Sequence, residues 1–179
     1  MHVLAVEYPG YGLYKTSSPC ENKMKEDSEI IYDYLTKHVG VREEDIILFG
    51  RSMGTGPASY LASKKKAFSL LLMSAYTSIK DVSKSLLGKL SFLLTPIVYE
   101  RFRNIDSIKQ VQCPVFFLHG SQDSLIPPIH SIELKKNCST ISYLHLPLNM
   151  DHNEFDFIED LVKPFKDFIK TLEDSYFNS

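Results

Sequence analysis

The stretch Ile46-Ile47-Leu48-Phe49-Gly50-Arg51-Ser52-Met53-Gly54-Thr55-Gly56 decides the fold. Its first four residues form a short unbroken apolar run, which suits a strand buried on both faces of a parallel sheet. That strand is expected to stop at Gly50. From about Thr55 to Lys65 the chain is rich in Ala and Leu and reads as a helix. Between the two stands Gly-x-Ser-x-Gly, a pattern common in isolation and informative only in a strand–turn–helix setting. So sharp a turn calls for glycine at both flanks, because a Cβ there would strike neighbouring backbone. It holds Ser52 out at the carboxyl edge of the sheet, where open α/β sheets bind ligands. The plainer alternative is a serine in a glycine-rich turn. Thr55 and Gly56 prolong the run of small residues and let the helix pack close to the sheet, a structural role.

Outward from this stretch the chain alternates. Before it, Val3 to Glu7 reads as a strand ended by Tyr8-Pro9-Gly10-Tyr11-Gly12, and Met24, Ile31, Tyr34, Leu35 and His38 recur at helical spacing up to a C-cap at Gly40. After it come an apolar strand from Phe68 to Met73 and a mainly helical stretch from about Thr77 to Val111. A strand from Val115 to His119 follows, then a helix opened by Pro127-Pro128 and running to about Lys136. The last strand spans Ile141 to Leu146, and a closing helix spans Phe155 to Leu172. Pro164 should kink or split that helix, since an interior proline removes a hydrogen bond and costs about 3 kcal/mol. Strands alternating with helices predict an α/β fold: a mostly parallel sheet covered by helices on both faces. Residues 1–179 are read as one domain with a small helical insertion at about 77–111.

The 179 residues are 44% hydrophobic and 12% aromatic, enough for one sizeable core. A net charge of −2 and a single basic run, Lys64-Lys65-Lys66, give no basic face for nucleic acid. Cys20, Cys113 and Cys138 are odd in number, with no C-x-x-C pair, so neither a disulfide framework nor a zinc site is expected and a reducing compartment fits. The longest apolar stretch, Leu86 to Tyr99, is interrupted by Gly88, Lys89, Ser91, Thr95 and Pro96. It falls short of the ~20 residues a membrane span needs.

A serine hydroxyl needs a base within hydrogen-bond reach and a third group to orient that base. His152 lies in the loop after the last strand, and in a parallel sheet that loop shares the carboxyl edge with Ser52. His119, at the end of its strand, is a weaker candidate that reads as packing or capping its loop; His2, His38, His130 and His145 occupy strand or helix positions. Asp123 follows the penultimate strand and is the natural acid. It competes with two plainer roles, turn-former and helix N-cap. Asp151 is its rival for orienting His152, but adjacent residues rarely aim at each other. The Met53 backbone N–H, at the helix start, is placed to donate to an oxyanion on an acyl carbonyl. The chain order Ser, Asp, His differs from the orders of the chymotrypsin and subtilisin types.

Tyr8-Pro9-Gly10-Tyr11-Gly12, Gly50-Arg51-Ser52-Met53-Gly54, Pro114 to Gly120 followed by Asp123, and His152-Asn153 together resemble the α/β-hydrolase superfamily over nearly the whole chain. Within it they resemble the abhydrolase branch that includes serine-aminopeptidase-like esterases and palmitoyl-protein thioesterases. Asn104-Ile105-Asp106 is similar to the branch that removes palmitate from membrane-attached proteins. The resemblance implies a serine hydrolase of acyl esters or thioesters, with an acylated small molecule or acylated protein as substrate. It also implies peripheral membrane contact, a location in the cytoplasm or on the cytoplasmic face of a membrane, and no cofactor. The apolar segment Leu86 to Val98 is expected to be a lid or core helix, with an acyl-binding groove or membrane contact as the alternative.

One departure stands out. Members of the superfamily usually begin with two or three more strands, the third ending in a His-Gly-rich loop that supplies the other oxyanion donor. Nothing precedes Val3 here, so the resemblance implies a truncated chain, with direct pairing of the first two strands as the alternative. Losing one oxyanion donor typically costs about 10²–10³ in turnover. A catalytically impaired binding or scaffold protein on the same fold, or a serine aminopeptidase-like peptidase, are the competing functions.

Overall fold

The computed structural model describes residues 2–87 and 100–177. Four strands form one parallel sheet in the order β1-β2-β3-β4: β1 Ile47–Arg51, β2 Ser69–Met73, β3 Val115–Leu118 and β4 Ser142–His145. The helices are α1 Glu21–Tyr34, α2 Thr55–Lys64, α3 Ile79–Leu87, α4 Asn104–Ser107, α5 Ile129–Asn137 and α6 Lys163–Phe177. In a parallel sheet successive side chains face opposite sides, so the apolar runs of β2 and β3 each feed two cores. Leu70, Leu72, Val115 and Phe117 pack with Ala62 of α2, Ile108 and Leu134 of α5. Leu71, Met73, Phe116 and Leu118 pack with Phe168 and Leu172 of α6. Helices therefore cover both faces, as the alternation predicts.

The edge strand β1 departs from the expectation of burial on both faces. Register places Phe49, Leu71, Phe116 and Tyr143 in one row across the sheet. Leu71 and Phe116 are buried under α6, whereas Phe49 is 54% exposed. Leu48, on the other face, packs against the core beneath α2.

Two further expectations are corrected. Residues 2–7 form no strand: Val3 is 83% exposed, and no strand pairs with the outer side of β1 among the described residues. β-propensity in Val3-Leu4-Ala5-Val6 is not enough, because a strand needs a partner for its backbone N–H and C=O groups. β1 does not stop at Gly50 but runs through it to Arg51. In the stretch read as mainly helical from 77 to 111, the described residues hold α3, α4 and a short 3₁₀ turn at Ile108–Gln110. Most of the apolar segment from 86 to 98 lies outside the described residues. No helix among the described residues is long and apolar enough to cross a membrane.

The closing helix changes pitch beside its proline. A π-type turn, Phe157–Val162, is capped by Asp156, whose carboxylate accepts from the N–H groups of Ile158 and Glu159 at 2.8 Å each. The π-type turn passes without a break into the regular helix α6 at Lys163, whose N–H donates to the Ile158 carbonyl, so the run changes from π to α pitch next to Pro164.

Candidate active site

Ser52, Asp123 and His152 follow the carboxyl ends of β1, β3 and β4, which in a parallel sheet share one edge. Arg51 is still extended (φ −118°, ψ 136°), and the chain then reverses at Ser52, whose φ of +51° lies in the left-handed region. A non-glycine residue there is strained, at about 1–2 kcal/mol. The turn holds because the Thr55 hydroxyl donates to the Ser52 carbonyl at 2.7 Å and the Thr55 N–H closes the Ser52–Gly54 turn. Gly50 is required: a Cβ on it would sit 2.5 Å from the Gly54 carbonyl oxygen. Gly54 is not held by backbone, contrary to expectation; a Cβ there would meet only the Tyr8 hydroxyl, at 3.2 Å. Gly56 makes room for Phe102, whose ring would lie 2.5 Å from an added Cβ.

His152 Nε2 lies 3.0 Å from Ser52 Oγ, and His152 Nδ1 lies 2.7 Å from Asp123 Oδ2. An ionised carboxylate only accepts, so the Nδ1 proton points at Asp123 and Nε2 is left to accept from the serine hydroxyl. Asp123 and His152 are both buried. Burial alone would raise the Asp123 carboxyl, but the N–H groups of His119, Ile126 and His152 outweigh it and hold the group well below the usual carboxylate range. Its other oxygen, Oδ1, accepts from the N–H groups of Leu125 at 3.0 Å and Ile126 at 2.8 Å. The turn-forming role and the orienting role thus coexist, one on each oxygen.

The two rivals are placed elsewhere. Asp151 accepts from the N–H groups of Asn153 and Glu154, both at 2.7 Å, and shapes its own loop. His119 is fully buried: Nε2 donates to the Ile126 carbonyl at 2.7 Å, and Nδ1 accepts from the Ser131 hydroxyl at 2.6 Å. It thereby fastens the Asp123 loop to α5. His130 is likewise buried, bonded to the Thr77 hydroxyl at 3.0 Å and to Ser85 at 3.2 Å, so it ties α5 to α3. Met53 is the second residue of the 3₁₀ turn that leads into α2, among the first amides of a helix, which have no internal acceptor. Asn104, of the tripeptide 104–106, is buried and donates to Thr55 Oγ1 at 3.3 Å and to the Tyr76 carbonyl at 3.0 Å.

Two contributors escape a reading by motif. Tyr8 packs with Met24, Tyr76, Phe102 and Ile126, and so docks the Tyr8–Gly12 turn beside the elbow. Arg51, the unspecified position of Gly-x-Ser-x-Gly, donates from Nη2 to the His152 carbonyl at 2.6 Å and to Asn153 Oδ1 at 3.1 Å. Neither residue type signals its partner in advance, because both contacts join segments distant in sequence.

No family model matches the chain. It is 28% identical over 169 residues to the alpha/beta hydrolase domain-containing protein aho-3 of Caenorhabditis elegans, covering 94% of this chain and 48% of that protein. It is 26% identical over 173 residues to human alpha/beta hydrolase domain-containing protein 17B, covering 94% and 56%. Among solved structures it superposes on mouse alpha/beta hydrolase domain-containing protein 10 with a TM-score of 0.60 at 18% identity, covering 93% and 76%. The chain spans about half the length of the first two relatives. With its parallel sheet, its strand–turn–helix serine and these relatives, the chain belongs to the α/β-hydrolase superfamily.

Proposed function

We propose that this chain is a serine hydrolase that cleaves acyl esters or thioesters through an acyl-enzyme, a protein-bound fatty acyl thioester being the favoured substrate. The observation that carries the reading is the hydrogen-bonded series Asp123–His152–Ser52, at 2.7 Å and 3.0 Å. Ser52 Oγ attacks the acyl carbonyl carbon while its proton passes to His152 Nε2. Asp123 fixes the tautomer and stabilises the imidazolium. The Met53 N–H donates to the oxyanion of the tetrahedral intermediate. Collapse breaks the bond to the alkoxide or thiolate, which takes the proton from Nε2. Water then repeats the sequence on the Ser52 ester and releases the acid. No step calls on a metal or organic cofactor. The preference for a fatty acyl thioester rests on the resemblance around 104–106.

Labelling with a fluorophosphonate tests the nucleophile. Wild type should label, and Ser52→Ala, which has no hydroxyl to take the phosphonyl group, should not label above background. Equal labelling would refute the assignment and favour a binding or scaffold protein of the same fold. A panel of short and long acyl esters, acyl thioesters and aminoacyl amides then separates thioesterase from peptidase: the reading requires turnover of the long acyl thioesters.

A further inference from the structure

Ser52 and His152 descend from the two outer strands of the described sheet, β1 and β4. Three interstrand spacings of about 4.8 Å put those strands about 14 Å apart, so the loop after β4 must run back across the carboxyl edge. Its first part is fastened to the neighbouring β3 loop. The Ser121 N–H donates to the Pro147 carbonyl and the Gln122 N–H to the Met150 carbonyl, both at 3.0 Å, and Gly120 lets Met150 approach so closely that a Cβ there would lie 2.3 Å from its oxygen. Past Met150 the β3 loop still reaches the imidazole of His152 through Asp123, at 2.7 Å, while the backbone of His152 is held from β1. The Arg51 guanidinium stands there, two-pronged on the His152 carbonyl (2.6 Å) and Asn153 Oδ1 (3.1 Å), with the Phe155 ring 5.8 Å beneath it. Its Nε–H is buried with no acceptor among the described residues. A half-buried guanidinium that leaves its buried Nε–H unmet is poorly explained by stability alone, because an unmade buried hydrogen bond is a cost.

We propose that Arg51 is the positioning residue for His152: the residue before the nucleophile grips the backbone of the base and sets the imidazole's distance from Ser52. This rests on the reading of Ser52, His152 and Asp123 given above. A base displaced by about 1 Å can cost about 10²-fold, so an anchor on the backbone of the base has leverage on rate.

The test measures fluorophosphonate labelling rates and urea midpoints of the whole chain for wild type, Arg51→Met, Arg51→Gln and Arg51→Lys. Arg51→Met should label at least about tenfold more slowly, a fraction of the loss a full 1 Å displacement brings. Arg51→Lys, which keeps the stem and a charged donor for the carbonyl, should recover most of that rate. Wild-type labelling by folded Arg51→Met overturns the proposal, as does wild-type labelling by folded Arg51→Gln if the methionine variant does not fold. It is equally overturned if the labelling rates of the variants fall only in proportion to their loss of folded protein, for Arg51 is then only a structural tie. Failure of wild type to label above Ser52→Ala strikes at the nucleophile assignment and leaves the grip on the loop untested as catalysis but measurable as lost loop protection in Arg51→Met by hydrogen exchange; unchanged protection there overturns it.

Discussion

A methyl group on Gly50 would lie 2.5 Å from the Gly54 carbonyl oxygen and 2.8 Å from Ala58 Cβ, both fixed by the start of α2. On Gly54 it would meet only a tyrosine hydroxyl at 3.2 Å, and the backbone there is ordinary helix (φ −62°). The two glycines of the motif therefore carry unequal constraints. Gly50→Ala should destabilise the chain by about 1–3 kcal/mol, the usual cost of overpacking, and abolish labelling of Ser52. Gly54→Ala should cost less than about 1 kcal/mol because the Tyr8 side chain can shift, as tolerated repacking does. Urea denaturation of the two variants side by side checks this. Asp123 shows a related economy at the same scale. One oxygen shapes the loop through Leu125 and Ile126 while the other faces the imidazole, so Asp123→Ala removes both roles at once, whereas Asp123→Asn keeps an acceptor for the two N–H groups and loses only the carboxylate at the imidazole.

The strands differ as strongly as the glycines. Phe117 in β3 is fully buried between β2, β4 and the α2–α5 layer, whereas Phe49 in β1 is more than half exposed. Phe117→Ala should cost about 3–5 kcal/mol and Phe49→Ser less than about 1 kcal/mol, read as urea midpoints. From the sequence alone the apolar runs located β1 to β4 to within a residue or two, since buried parallel strands leave an unbroken hydrophobic signature. Gly40 likewise marked the end of the helical run that begins with α1 and closes in a π-type turn at Leu35–Val39, and its φ there is left-handed, +81°. Elements that depend on a partner were not legible. Val3 to Val6 has strand-forming residues but nothing to pair with, and Phe49 has the composition of a core residue without a cover. At the site, Ser52, Asp123 and His152 could be read because strand order alone sends them to one edge. The grip of Arg51 on the His152 loop and the anchoring of Asp123 by His119 could not, because they depend on which side chains meet once the loops have closed.

At the level of the whole molecule, two buried groups give stability the same dependence on pH. Burial lowers the His130 pKa, with Asp81 opposing that shift and His119 adding to it. The unfolded chain therefore takes up a proton below about pH 6.5 that the folded chain resists. Stability held at neutral pH is lost as the pH falls through that range. Asp123, depressed in the folded state, contributes stability that is present above the unfolded carboxylate pKa of about 4 and fades as the pH falls below it. Urea midpoints should decline from pH 7 to 5 and again below pH 4, and His130→Gln should flatten the first decline while leaving the second.

The route of the loop after β4 has a mechanical consequence. Adjacent strands of a sheet are rotated by about 20–25°, so the strands bearing the serine and the histidine diverge by roughly 60–75° across the described sheet. The gap between hydroxyl and imidazole is thus a lever arm on sheet twist. A substitution buried in β2 or β3, remote from the chemistry and harmless to folding, can detune the pair by changing the angle at which the outer strands face each other.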